Sequence, residues 1–513
     1  MEYMKSTIDS IQGKNILIVC FTGMTPHLET SLEICRRLSE KNDVSYIHLG
    51  NYVSRPTLYP SEIIKRNSQL RVRIRRAENY IRRHSKENKK IKLLQPKQYN
   101  QKLKLLMNSY ADALQNNDIG SIKELKELKF KNYNIGIGIA STLISDAKDP
   151  DPFPLTIKNK NEIQELLNSS LISLAFAKIL LDESHNYNGL VILNGRFHCE
   201  NAIKQIAYEK KVEVFFHERS FQCKRFFFEN YMPHDFTKRK EEMAKMNCHI
   251  KADVISSIGK HFFDKKTKGD GVYEESHVRN QLNVLTENLQ IKIKECRKNN
   301  IKIVSYFTAN DDEYKFIDGS SARYPLWGSQ GEAIKSISKI ARSMNFYLIV
   351  RVHPNLKRKN KQEQDRWNKI GESIKNEGFY WVSQVEKDST YSLISQSDLI
   401  ITAGSTVGIE AISMRKPSIV INSCKYDGII NSVKLCDSPT RLKEVLGDKS
   451  TYKQPNPSDS YIFGAWIMIY GPEFEFFIPD GNQYGVMKDG SRIASAGILQ
   501  RTISKIKNRF NNN

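Results

Sequence analysis

Two segments of this chain end apolar strands in side chains that can bind an anion. The first, YLIVRVHPN, is a run of aliphatic and β-branched residues that stops at His353. The second, SDLIITAGSTVGIEA, stops in the same way at Gly404, Ser405 and Thr406. Because ligands of open α/β sheets bind at the carboxyl ends of the strands, the pattern predicts that these residues share one crevice.

The second segment also predicts the start of a helix. Gly404 permits a tight turn, Ser405 or Thr406 can act as the N-cap, and the residues from Val407 onward continue helically. The first turn of a helix offers unpaired backbone N–H groups and a positive dipole end. A phosphate is therefore the anion that this turn is predicted to bind.

Two further residues extend the predicted phosphate site. Arg351 lies close to His353 at the strand end and adds positive charge, and Glu410, about one turn into the helix, could accept hydrogen bonds from ribose hydroxyls. Each residue also has an ordinary explanation, as loop chemistry, as an N-cap or as a solvated helix carboxylate. Their combination within one βαβ pattern favours a nucleotide phosphate site.

The whole chain limits the class of protein. Its 513 residues allow two or three domains. No apolar run approaches the ~20 residues of a bilayer span, and no signal-peptide pattern precedes the first strand, so a cytoplasmic protein is expected. The eight cysteines lack any Cys-x-x-Cys pair, which favours free, mostly buried thiols over a disulfide framework or a zinc site.

The formal net charge of +22 indicates an affinity for polyanions. Much of the excess lies between Lys65 and Lys104, where Arg and Lys alternate with Val72, Ile74, Tyr80 and Ile81. This pattern is typical of a basic amphipathic helix on an anionic membrane surface. A solvated helix in a chain with a general bias toward Lys, Asn and Ile explains it equally well.

The first part of the chain has the order of a Rossmann-like domain. NILIVCF predicts a strand, TGMTPHLE a turn, TSLEICRRLSEK a helix and VSYIHLG a second strand. The turn lacks the GxGxxG pattern, so NAD or FAD is not indicated. Residues from about 53 to 170 are predicted to be mostly helical, with a short GIGIAS turn at 136–141.

Two more strands, GLVILNGR and VEVFFHERS, complete this first sheet and again end in polar clusters. Their ends are predicted to line one carboxyl edge together with the turn after the first strand. The candidate ligand-facing residues at this edge are Gly23, His27, Glu29, Asn194, Arg196, His217, Glu218 and Arg219.

A second alternation of strands and helices predicts a second parallel sheet. It starts at IKIVSYFTANDDEY after a charged stretch at about 237–300, which we interpret as the connection between domains. The predicted fold is α/β, with two Rossmann-like domains facing a cleft. The predicted boundaries are 1–295 for the first domain, 296–456 for the second, and 457–513 for an aromatic segment that packs back across both domains.

At this point the motifs resemble a known family. NGR followed by HER, an acidic cluster, RVHPN and SDLIITAGSTVGIEA are together similar to motifs of GT-B glycosyltransferases of bacterial capsule and lipopolysaccharide biosynthesis, over roughly Gly189 to Ile421. Similar His-Pro and Ser/Thr motifs occur in bacterial sialyltransferases and in Kdo-transferring capsule enzymes, where they hold the phosphate of a CMP-sugar. The resemblance implies that His353 contacts the donor phosphate, helped by Ser405 and Thr406.

Transfer of a sugar also requires a carboxylate, which either deprotonates the acceptor hydroxyl or attacks the sugar. Asp311 or Asp312 resembles an acidic pair of the Kdo-transferring enzymes, although the surrounding ANDDEY departs from their pattern and leaves Glu313 open as well. A solvated acidic turn is the alternative. Glu29 near His27, and Glu218 beside His217, are rivals from the first domain, where a helix cap or an interdomain ion pair would explain them equally.

The sequence thus predicts a glycosyltransferase that moves a sugar from a nucleotide donor, preferably a CMP-linked acidic sugar, to a growing bacterial surface glycan. The acceptor would be lipid-linked or polysaccharide. Neither a cofactor, nor a metal, nor a nucleic-acid partner is expected. The protein would lie in the cytoplasm, with an anionic membrane surface as a further partner. A CDP-glycerol-type polyol-phosphate transferase and a non-enzymatic basic adaptor are the alternatives.

Overall fold

The computed structural model describes residues 7–58, 68–110, 119–154, 157–182, 186–268, 284–309, 326–375, 379–386, 388–480 and 484–494. The chain forms two compact units, each described here by itself. Of the described residues, the N-terminal unit takes those within Lys5–Thr142, Phe153–Pro233 and Tyr470–Asn513, and the C-terminal unit takes those within Leu143–Pro152 and His234–Ile469.

The N-terminal unit is built on a six-stranded sheet with the order β3-β2-β1-β4-β5-β6. Neighbouring strands are parallel except at the edge, where β6 runs antiparallel to β5. The strands are β1 (Asn15–Cys20), β2 (Asp43–His48), β3 (Ile91–Leu93), β4 (Gly189–Leu193), β5 (Glu213–Arg219) and β6 (Phe226–Glu229).

Helices cover this sheet because their apolar positions recur at helical spacing. In α2, Leu28, Leu32, Cys35 and Leu38 are fully buried in one core with alternate residues of β1 and β2. The helices are α1 (Thr7–Ser10), α2 (His27–Leu38), α3 (Ser68–Glu87), α4 (Asn100–Asn108), α5 (Ile122–Glu127), α6 (Gly136–Ala147), α7 (Ile157–Leu180) and α8 (His198–Glu209).

The C-terminal unit contains a second six-stranded sheet, parallel throughout, with the order β12-β11-β10-β7-β8-β9. Along β7, Val304 and Tyr306 belong to the core on one face, and Ile303 and Phe307 to the core on the other. Burial on both faces explains why these strands read as continuous apolar runs. The strands are β7 (Lys302–Phe307), β8 (Phe346–Arg351), β9 (Tyr380–Val382), β10 (Leu399–Thr402), β11 (Ser418–Val420) and β12 (Val433–Leu435).

Nine described helices belong to this unit, several with side-chain caps. Ser329 and Glu332 form a complete capping box at the start of α12. The helices are α9 (Phe236–His249), α10 (Ala252–Thr267), α11 (Glu287–Lys298), α12 (Gln330–Ser343), α13 (Lys361–Lys375), α14 (Thr390–Gln396), α15 (Val407–Ser413), α16 (Pro439–Gly447) and α17 (Ser458–Ile469).

The prediction of an α/β protein with two Rossmann-like domains is confirmed. In each sheet the strand order reverses once, between β1 and β4 in the first sheet and between β7 and β10 in the second. Such a switch point, at the carboxyl ends of the strands, is where open α/β sheets bind ligands. That the two domains face a cleft stays a prediction.

The observed boundaries differ from the predicted 1–295, 296–456 and 457–513. The main part of the C-terminal unit begins at His234, because the helices of the predicted connection are amphipathic and bury residues such as Met243 and Phe262. The last predicted segment, 457–513, is divided between the two units, with the boundary between Ile469 and Tyr470. Helix α17 belongs to the C-terminal unit, and the hairpin of β13 (Phe477–Asp480) and β14 (Tyr484–Met487) adds Phe477 and Met487 to the N-terminal core.

The GIGIAS segment is the beginning of α6 and not a turn. Its glycines allow close packing instead of a change of chain direction. A Cβ atom on Gly136 would lie 2.0 Å from the carbonyl oxygen of Leu125, and one on Gly138 would lie 2.8 Å from Cβ of Asn201. The sequence alone cannot distinguish these two uses of glycine.

The basic segment does form an amphipathic helix, α3, but its apolar side is part of the N-terminal core. Ile74, Tyr80 and Ile81 are buried, and only Val72 of the four apolar residues is exposed. These buried side chains are therefore unavailable for insertion into a membrane. The exposed side of the helix is basic.

By length and composition alone, one helix in the described part of the chain could cross a membrane. It is the Lys160–Leu180 stretch of α7, with a mean hydropathy of 1.2, and 72% of its apolar window is buried. This differs from the expectation that no run reaches this length, because Asn and Ser interrupt the run while its average hydropathy stays high. Such burial is typical of a helix in a protein core.

All eight cysteines are free. Six of them are buried, Cys223 is half-buried and Cys248 is exposed. Burial raises the pKa of the Cys35 thiol to about 12. The buried thiols therefore act as small apolar side chains at neutral pH.

Candidate functional site

Two threonines connect the carboxyl ends of β8, β7 and β10. The hydroxyl of Thr308, directly after β7, accepts a hydrogen bond of 2.8 Å from the backbone N–H of His353. The hydroxyl of Thr402 donates to the carbonyl of Phe307 at 3.0 Å and accepts from the N–H of Ser405 at 3.1 Å. The His-Pro turn and the Gly-Ser-Thr turn are thus fixed on either side of β7, about 10 Å apart across the sheet, which is the separation of strands that have one strand between them.

The orientation of the His353 ring follows from its contact with the next turn. Nδ1 accepts a hydrogen bond of 3.1 Å from the N–H of Asn355, at the start of the 3₁₀ helix Pro354–Arg358. A ring nitrogen that accepts carries no proton, so the neutral imidazole has its proton on Nε2. The other side of the ring therefore presents an N–H donor at the carboxyl edge of the sheet.

The Gly404–Thr406 turn has the conformation that the sequence predicts at its first residue. Gly404 has φ +97°, in the left-handed region, and a Cβ there would lie 3.1 Å from Cβ of Cys424. The hydroxyl of Ser405 accepts from the N–H of Val407 at 3.4 Å. Thr406 occupies the N-cap position without a side-chain capping bond.

A lysine that the sequence did not indicate lies beside this turn. Lys266, in the last turn of α10, donates to Oε1 of Glu410 at 2.5 Å and to the hydroxyl of Thr406 at 3.4 Å. Tyr391 donates to Oε2 of Glu410 at 3.0 Å. Burial alone would raise the pKa of Glu410, but the adjacent Lys266 ammonium and the hydrogen bonds that the carboxylate accepts from Lys266 and Tyr391 lower that pKa below its ordinary value.

This network corrects the role predicted for Glu410. Its carboxylate is buried and bound by Lys266 and Tyr391, instead of being directed to ribose hydroxyls or to solvent. The ion pair places a cation next to Thr406. The Gly404–Thr406 turn therefore has beside it a paired cation from a helix that the sequence suggested was a connection.

The position of Lys266 depends on a close crossing of α10 and α17. A Cβ on Gly259 would lie 2.1 Å from the carbonyl oxygen of Tyr461, and one on Gly464 would lie 3.0 Å from that of Gly259. Only glycines allow the two helices to approach this closely. The segment after residue 456 therefore helps to position the candidate site.

Arg351 lies elsewhere than predicted. Its guanidinium is buried and donates to the carbonyl of Ser383 at 2.8 Å, directly after β9. Because β9 and β7 lie on opposite sides of β8, this contact directs Arg351 away from the Gly-Ser-Thr turn. Burial lowers the pKa of Arg351, although Asp388 and Glu386 nearby counteract the shift.

The predicted catalytic residues Asp311 and Asp312 lie outside the described residues, as does Glu313. The described chain before them is held tightly. The side-chain amide of Gln330 both accepts from the N–H of Ala309 at 2.8 Å and donates to its carbonyl at 2.9 Å. The role of the two aspartates stays a prediction.

The N-terminal sheet brings together candidates from three strand ends. Oε2 of Glu218 accepts from the side-chain amide of Asn194 at 2.6 Å, and Oε1 accepts from the N–H of Arg219 at 2.9 Å. Nδ1 of His27 lies 3.2 Å from Oε1 of Glu218, without the alignment of a regular hydrogen bond. Asn194 adopts φ +53°, which places its amide at this edge.

The ionisation of this group follows from its surroundings. Burial lowers the pKa of His27, while Glu218 counteracts the shift. Burial would raise the pKa of Glu218, but His27, Asn194 and Arg219 together lower it. At neutral pH the pair is therefore a carboxylate beside a neutral imidazole.

Two more candidates at this edge are buried and favour the neutral form. Burial raises the pKa of Glu29 to about 7, although Thr25 donates to its Oε1 at 2.9 Å. Burial lowers the pKa of His217 to about 3. Oε2 of Glu29 and Nδ1 of His217 are buried and have no hydrogen-bond partner among the described residues.

The remaining candidates at this edge are Arg196, Arg219 and Gly23. Arg196 is half-buried, with its guanidinium 4.6 Å from the centre of the Phe197 ring. Arg219 is exposed. Gly23 contributes its carbonyl, which accepts from the guanidinium of Arg73 at 3.2 Å. In the described ranges, no group of three or more His, Cys, Asp and Glu residues could hold a metal ion.

Comparison with known proteins finds similarity at the level of structure only. No family model matches the chain, and no curated protein matches it. Solved structures that are similar include KpsC of Thermosulfurimonas dismutans, a β-Kdo 2,7-transferase, with 15% identity over 61% of this chain and 85% of that chain and a TM-score of 0.35. The UDP-GlcNAc 2-epimerase of Neisseria meningitidis, bound to UDP-GlcNAc, has 11% identity over 89% of this chain and 100% of that chain, with a TM-score of 0.25.

The wall teichoic acid polymerase TagF is also similar, with 16% identity over 35% of this chain and 41% of that chain and a TM-score of 0.20. The Kdo transferases that the sequence motifs resemble are thus among the similar structures. With TM-scores below 0.5 and identities below 25%, these likenesses assign no activity to the chain.

Proposed function

We propose that this chain is a glycosyltransferase that binds the nucleotide part of its donor at the carboxyl edge of the C-terminal sheet. The sugar is transferred to a growing bacterial surface polysaccharide, with a lipid-linked or polysaccharide acceptor. A CMP-linked acidic sugar is the preferred donor. The nucleotide sugar is a co-substrate, and no separate cofactor takes part.

The observation that carries this proposal is the arrangement of two turns around the end of β7. The Nε2–H side of His353 and the Gly404–Thr406 turn lie on either side of this strand end, fixed by Thr308 and Thr402. The turn lies at the switch point of the sheet, between β7 and β10. Such an arrangement suits one phosphate group, with the imidazole and the hydroxyls as donors.

The charge near the turn supports the same function. Cleavage of a nucleotide sugar leaves a phosphate whose negative charge must be stabilised, and fixed donors and cations in a partly buried site do this without reorganisation. Lys266 is 19% exposed and contacts Thr406, so its ammonium is held at the turn by the ionised Glu410. The positively charged chain also suits a donor whose sugar carries a second carboxylate.

A nucleotide screen tests the proposal directly. Thermal shift and calorimetry with CMP, CDP, UDP and GDP should show binding, with CMP preferred. His353→Ala should weaken binding about tenfold or more, because a hydrogen bond to a charged group contributes about 1.5–3 kcal/mol. The exposed His249 provides the control, and His249→Ala should leave affinity unchanged.

Other outcomes of the screen have definite meanings. Preference for CDP would favour a polyol-phosphate transferase, and binding of no nucleotide would favour a basic adaptor. Equal affinity of the wild type and the His353→Ala variant would contradict the phosphate role of the imidazole.

The carboxylate of the reaction is proposed to be Asp311 or Asp312. Both follow closely after Ala309, which Gln330 fixes at the end of β7. Asp311→Asn or Asp312→Asn should abolish turnover in one case while donor binding stays nearly intact. Full activity of both variants would move the role to the N-terminal unit.

The protein is proposed to act in the cytoplasm, at the inner face of the bacterial membrane. The support is electrostatic, because α3 exposes Arg71, Arg75, Arg82 and Arg83 while its apolar side is buried. Attraction to anionic lipid would bring the enzyme to a lipid-linked acceptor without insertion of apolar side chains.

A further inference from the structure

A group of aromatic rings and lysines lies in the N-terminal unit, away from the carboxyl edge of its sheet. Helix α8 connects β4 to the parallel strand β5, so it runs from the carboxyl end of β4 back to the amino end of β5. The last residue of α8, Glu209, therefore lies at the amino edge of the sheet. We call the side chains gathered near this end of α8 the amino-edge cluster, which consists of Tyr110, Phe130, Lys131, Tyr133 and Lys178.

A tight turn positions three residues of the cluster. The N–H of Phe130 donates to the carbonyl of Tyr133 at 2.9 Å, and the N–H of Tyr133 donates back at 3.0 Å. Lys131, inside the turn, has φ +52°, which residues other than glycine rarely adopt. The side-chain amide of Gln205 in α8 accepts from the N–H of Asn134 at 2.7 Å and donates to its carbonyl at 2.9 Å. The turn is therefore fixed against α8.

Two ammonium groups share the aromatic rings of the cluster. Nζ of Lys131 lies 5.4 Å from the centre of the Tyr110 ring and 5.5 Å from that of Phe130. Nζ of Lys178 lies 6.0 Å from the centre of the same Tyr110 ring and 5.2 Å from that of Tyr133. Cations at these distances are attracted to the ring faces. The rings therefore hold two positive charges near one another.

The positive charge of the cluster exceeds the negative charge beside it. In the described ranges, neither Lys131 nor Lys178 forms an ion pair with a carboxylate. Burial, together with Lys131 and Lys210, lowers the pKa of Lys178, although Glu209 counteracts the shift. The Glu209 carboxylate accepts a hydrogen bond from the hydroxyl of Tyr133. Three cations around one engaged carboxylate attract an anion.

The hydroxyl of Tyr110 is a second indication of a ligand. Tyr110 is 1% exposed, and in the described part of the chain its buried hydroxyl has no hydrogen-bond partner. Buried polar atoms nearly always have one. Burial, Glu209 and Tyr110 all raise the pKa of Tyr133, which places the two phenol groups near one another. An oxygen of a bound anion would satisfy the Tyr110 hydroxyl.

The rings narrow the class of anion. Phe130 and Tyr133 are half-buried, so each ring is partly open to solvent. A sugar ring has apolar C–H faces that pack on aromatic side chains, and its hydroxyls and substituents can reach neighbouring polar groups. Inorganic phosphate could contact the lysines but not the rings. The combination therefore suits a sugar with a negatively charged group.

We propose that the amino-edge cluster binds a sugar that carries a carboxylate or a phosphate. Lys131 and Lys178 supply the positive charge, and Tyr110 donates a hydrogen bond to the anion. Phe130 and Tyr133 contact the sugar ring. The inference goes beyond the proposed function, because the cluster lies away from both carboxyl edges and its ligand needs no nucleotide. Binding there involves no covalent step.

Calorimetry of the full-length protein without nucleotide tests the proposal. Trigalacturonate supplies a carboxylated saccharide and glucose 6-phosphate a phosphorylated one. Each should bind at least about tenfold more tightly than neutral maltotriose and inorganic phosphate, and more weakly as the salt concentration rises. Binding of neither anionic sugar, or equal affinity for maltotriose or for inorganic phosphate, would overturn the proposal.

Variants of the lysines locate the binding. Lys131→Met and Lys178→Met should each weaken binding of the anionic sugar about tenfold, because a hydrogen bond to a charged group is lost. Lys294→Met is the control with the same change of net charge, since Lys294 is exposed in the C-terminal unit. Equal affinities in all three variants would overturn the site.

Tyr110→Phe tests the unpartnered hydroxyl with little risk to the fold. The change keeps the ring and removes an oxygen that has no partner in the described part of the chain. Thermal stability should therefore stay unchanged or rise, while affinity for the anionic sugar falls about threefold. Unchanged affinity in a folded Tyr110→Phe variant would overturn the role of this hydroxyl.

An anionic membrane is the other partner that lysines could attract. Sedimentation with phosphatidylserine vesicles should be nearly the same for the wild type and the double variant Lys131→Met, Lys178→Met. Loss of sedimentation in the double variant, together with no binding of trigalacturonate by the wild type, would assign the lysines to a membrane surface and overturn the proposal.

The outcomes for this site are separate from those of the nucleotide screen. Lys178→Met should leave the affinity for CMP unchanged. A protein that binds CMP but neither anionic sugar keeps the proposed function and loses only this inference. A protein that binds an anionic sugar through Lys131 and Lys178 but binds no nucleotide keeps the site and loses the proposed function.

Discussion

The two sheets share a switch-point topology but bury different kinds of polar groups at their carboxyl edges. The C-terminal edge holds charges in pairs, with Lys266 on Glu410 and Lys240 on Asp427. The N-terminal edge and its surroundings hold, besides the ionised Glu218, neutral groups such as His48 and Glu200, whose pKa values burial shifts to about 4 and about 8. This difference is suited to the charged donor phosphate that we propose for the C-terminal sheet.

The largest effect is expected from breaking a charge pair of the C-terminal unit. Lys266→Met leaves the Glu410 carboxylate buried without its cation, which should cost about 3–5 kcal/mol in the free energy of unfolding. Urea denaturation of the whole chain, followed by hydrogen exchange, would measure this loss.

The same helix offers a matched control. Lys260 pairs with Asp264, but both side chains are more than half exposed. Lys260→Met should therefore cost less than about 1 kcal/mol. Equal losses in the two variants would show that the Lys266 pair is not a buried interaction and would remove the contrast between the sheets.

The pH dependence of stability should differ between the units. The folded pKa values of His48 and His198, about 4 and about 3, lie below the value of 6.5 for the unfolded chain. Below pH 6.5 these two histidines bind more protons in the unfolded state, so their contribution lowers the stability of the N-terminal unit as the pH falls from 6.5 toward 4. Each unit of pKa difference corresponds to about 1.4 kcal/mol.

The pKa of Glu200, also in the N-terminal unit, is shifted in the opposite direction to those of the two histidines. The folded pKa of Glu200, about 8, lies above its ordinary 4.5, so its contribution to stability is lost progressively as the pH rises from 4.5 to 8. The pKa of Glu410 is lowered, so the C-terminal pair is lost only as the pH falls below 4.5. Hydrogen exchange at pH 7 and 8, compared after correction for the intrinsic exchange rates, should show loss of protection at pH 8 in the N-terminal unit alone, and a parallel loss in both units would contradict this.

The smallest effect concerns the exposed face of α3. Changing Arg71, Arg75 and Arg82 to Glu should weaken sedimentation with phosphatidylserine vesicles, since each basic residue contributes about 1 kcal/mol near an anionic surface. Lys294→Glu, an exposed change in the C-terminal unit, is the control. Unaltered sedimentation in the triple variant would indicate that the basic face of the N-terminal unit is merely solvated.

The sequence predicts the central strands well because both faces of each sheet are buried. β1, β4, β8 and β10 appear as apolar runs, whereas the edge strands β3 and β12 are only three residues long and each has a lysine in the middle. The high charge content of 237–300 led to the wrong prediction of a connection between domains. Helices α9 and α10 in this stretch each bury one face and expose a basic one. Their assignment depends on packing with α17, which lies far away in the sequence.

The candidate site was predictable only in part, for a similar reason. Residues at the strand ends, such as His353 and Gly404, follow from local pattern and topology. The partner of Glu410 does not follow from the local pattern, because Lys266 lies 144 residues away in the chain. Arg351 shows the converse, since its position at a strand end does not reveal which neighbouring strand its side chain contacts.

The most direct test of the central claim is ring ¹⁵N NMR of His353 during a titration with CMP. His353 should keep Nδ1 as an acceptor, and its Nε2–H resonance should shift with a half-saturation equal to the calorimetric Kd. Binding of CMP with an unshifted His353 ring, or with a shift at His27 instead, would contradict the assignment of the nucleotide phosphate to the C-terminal sheet.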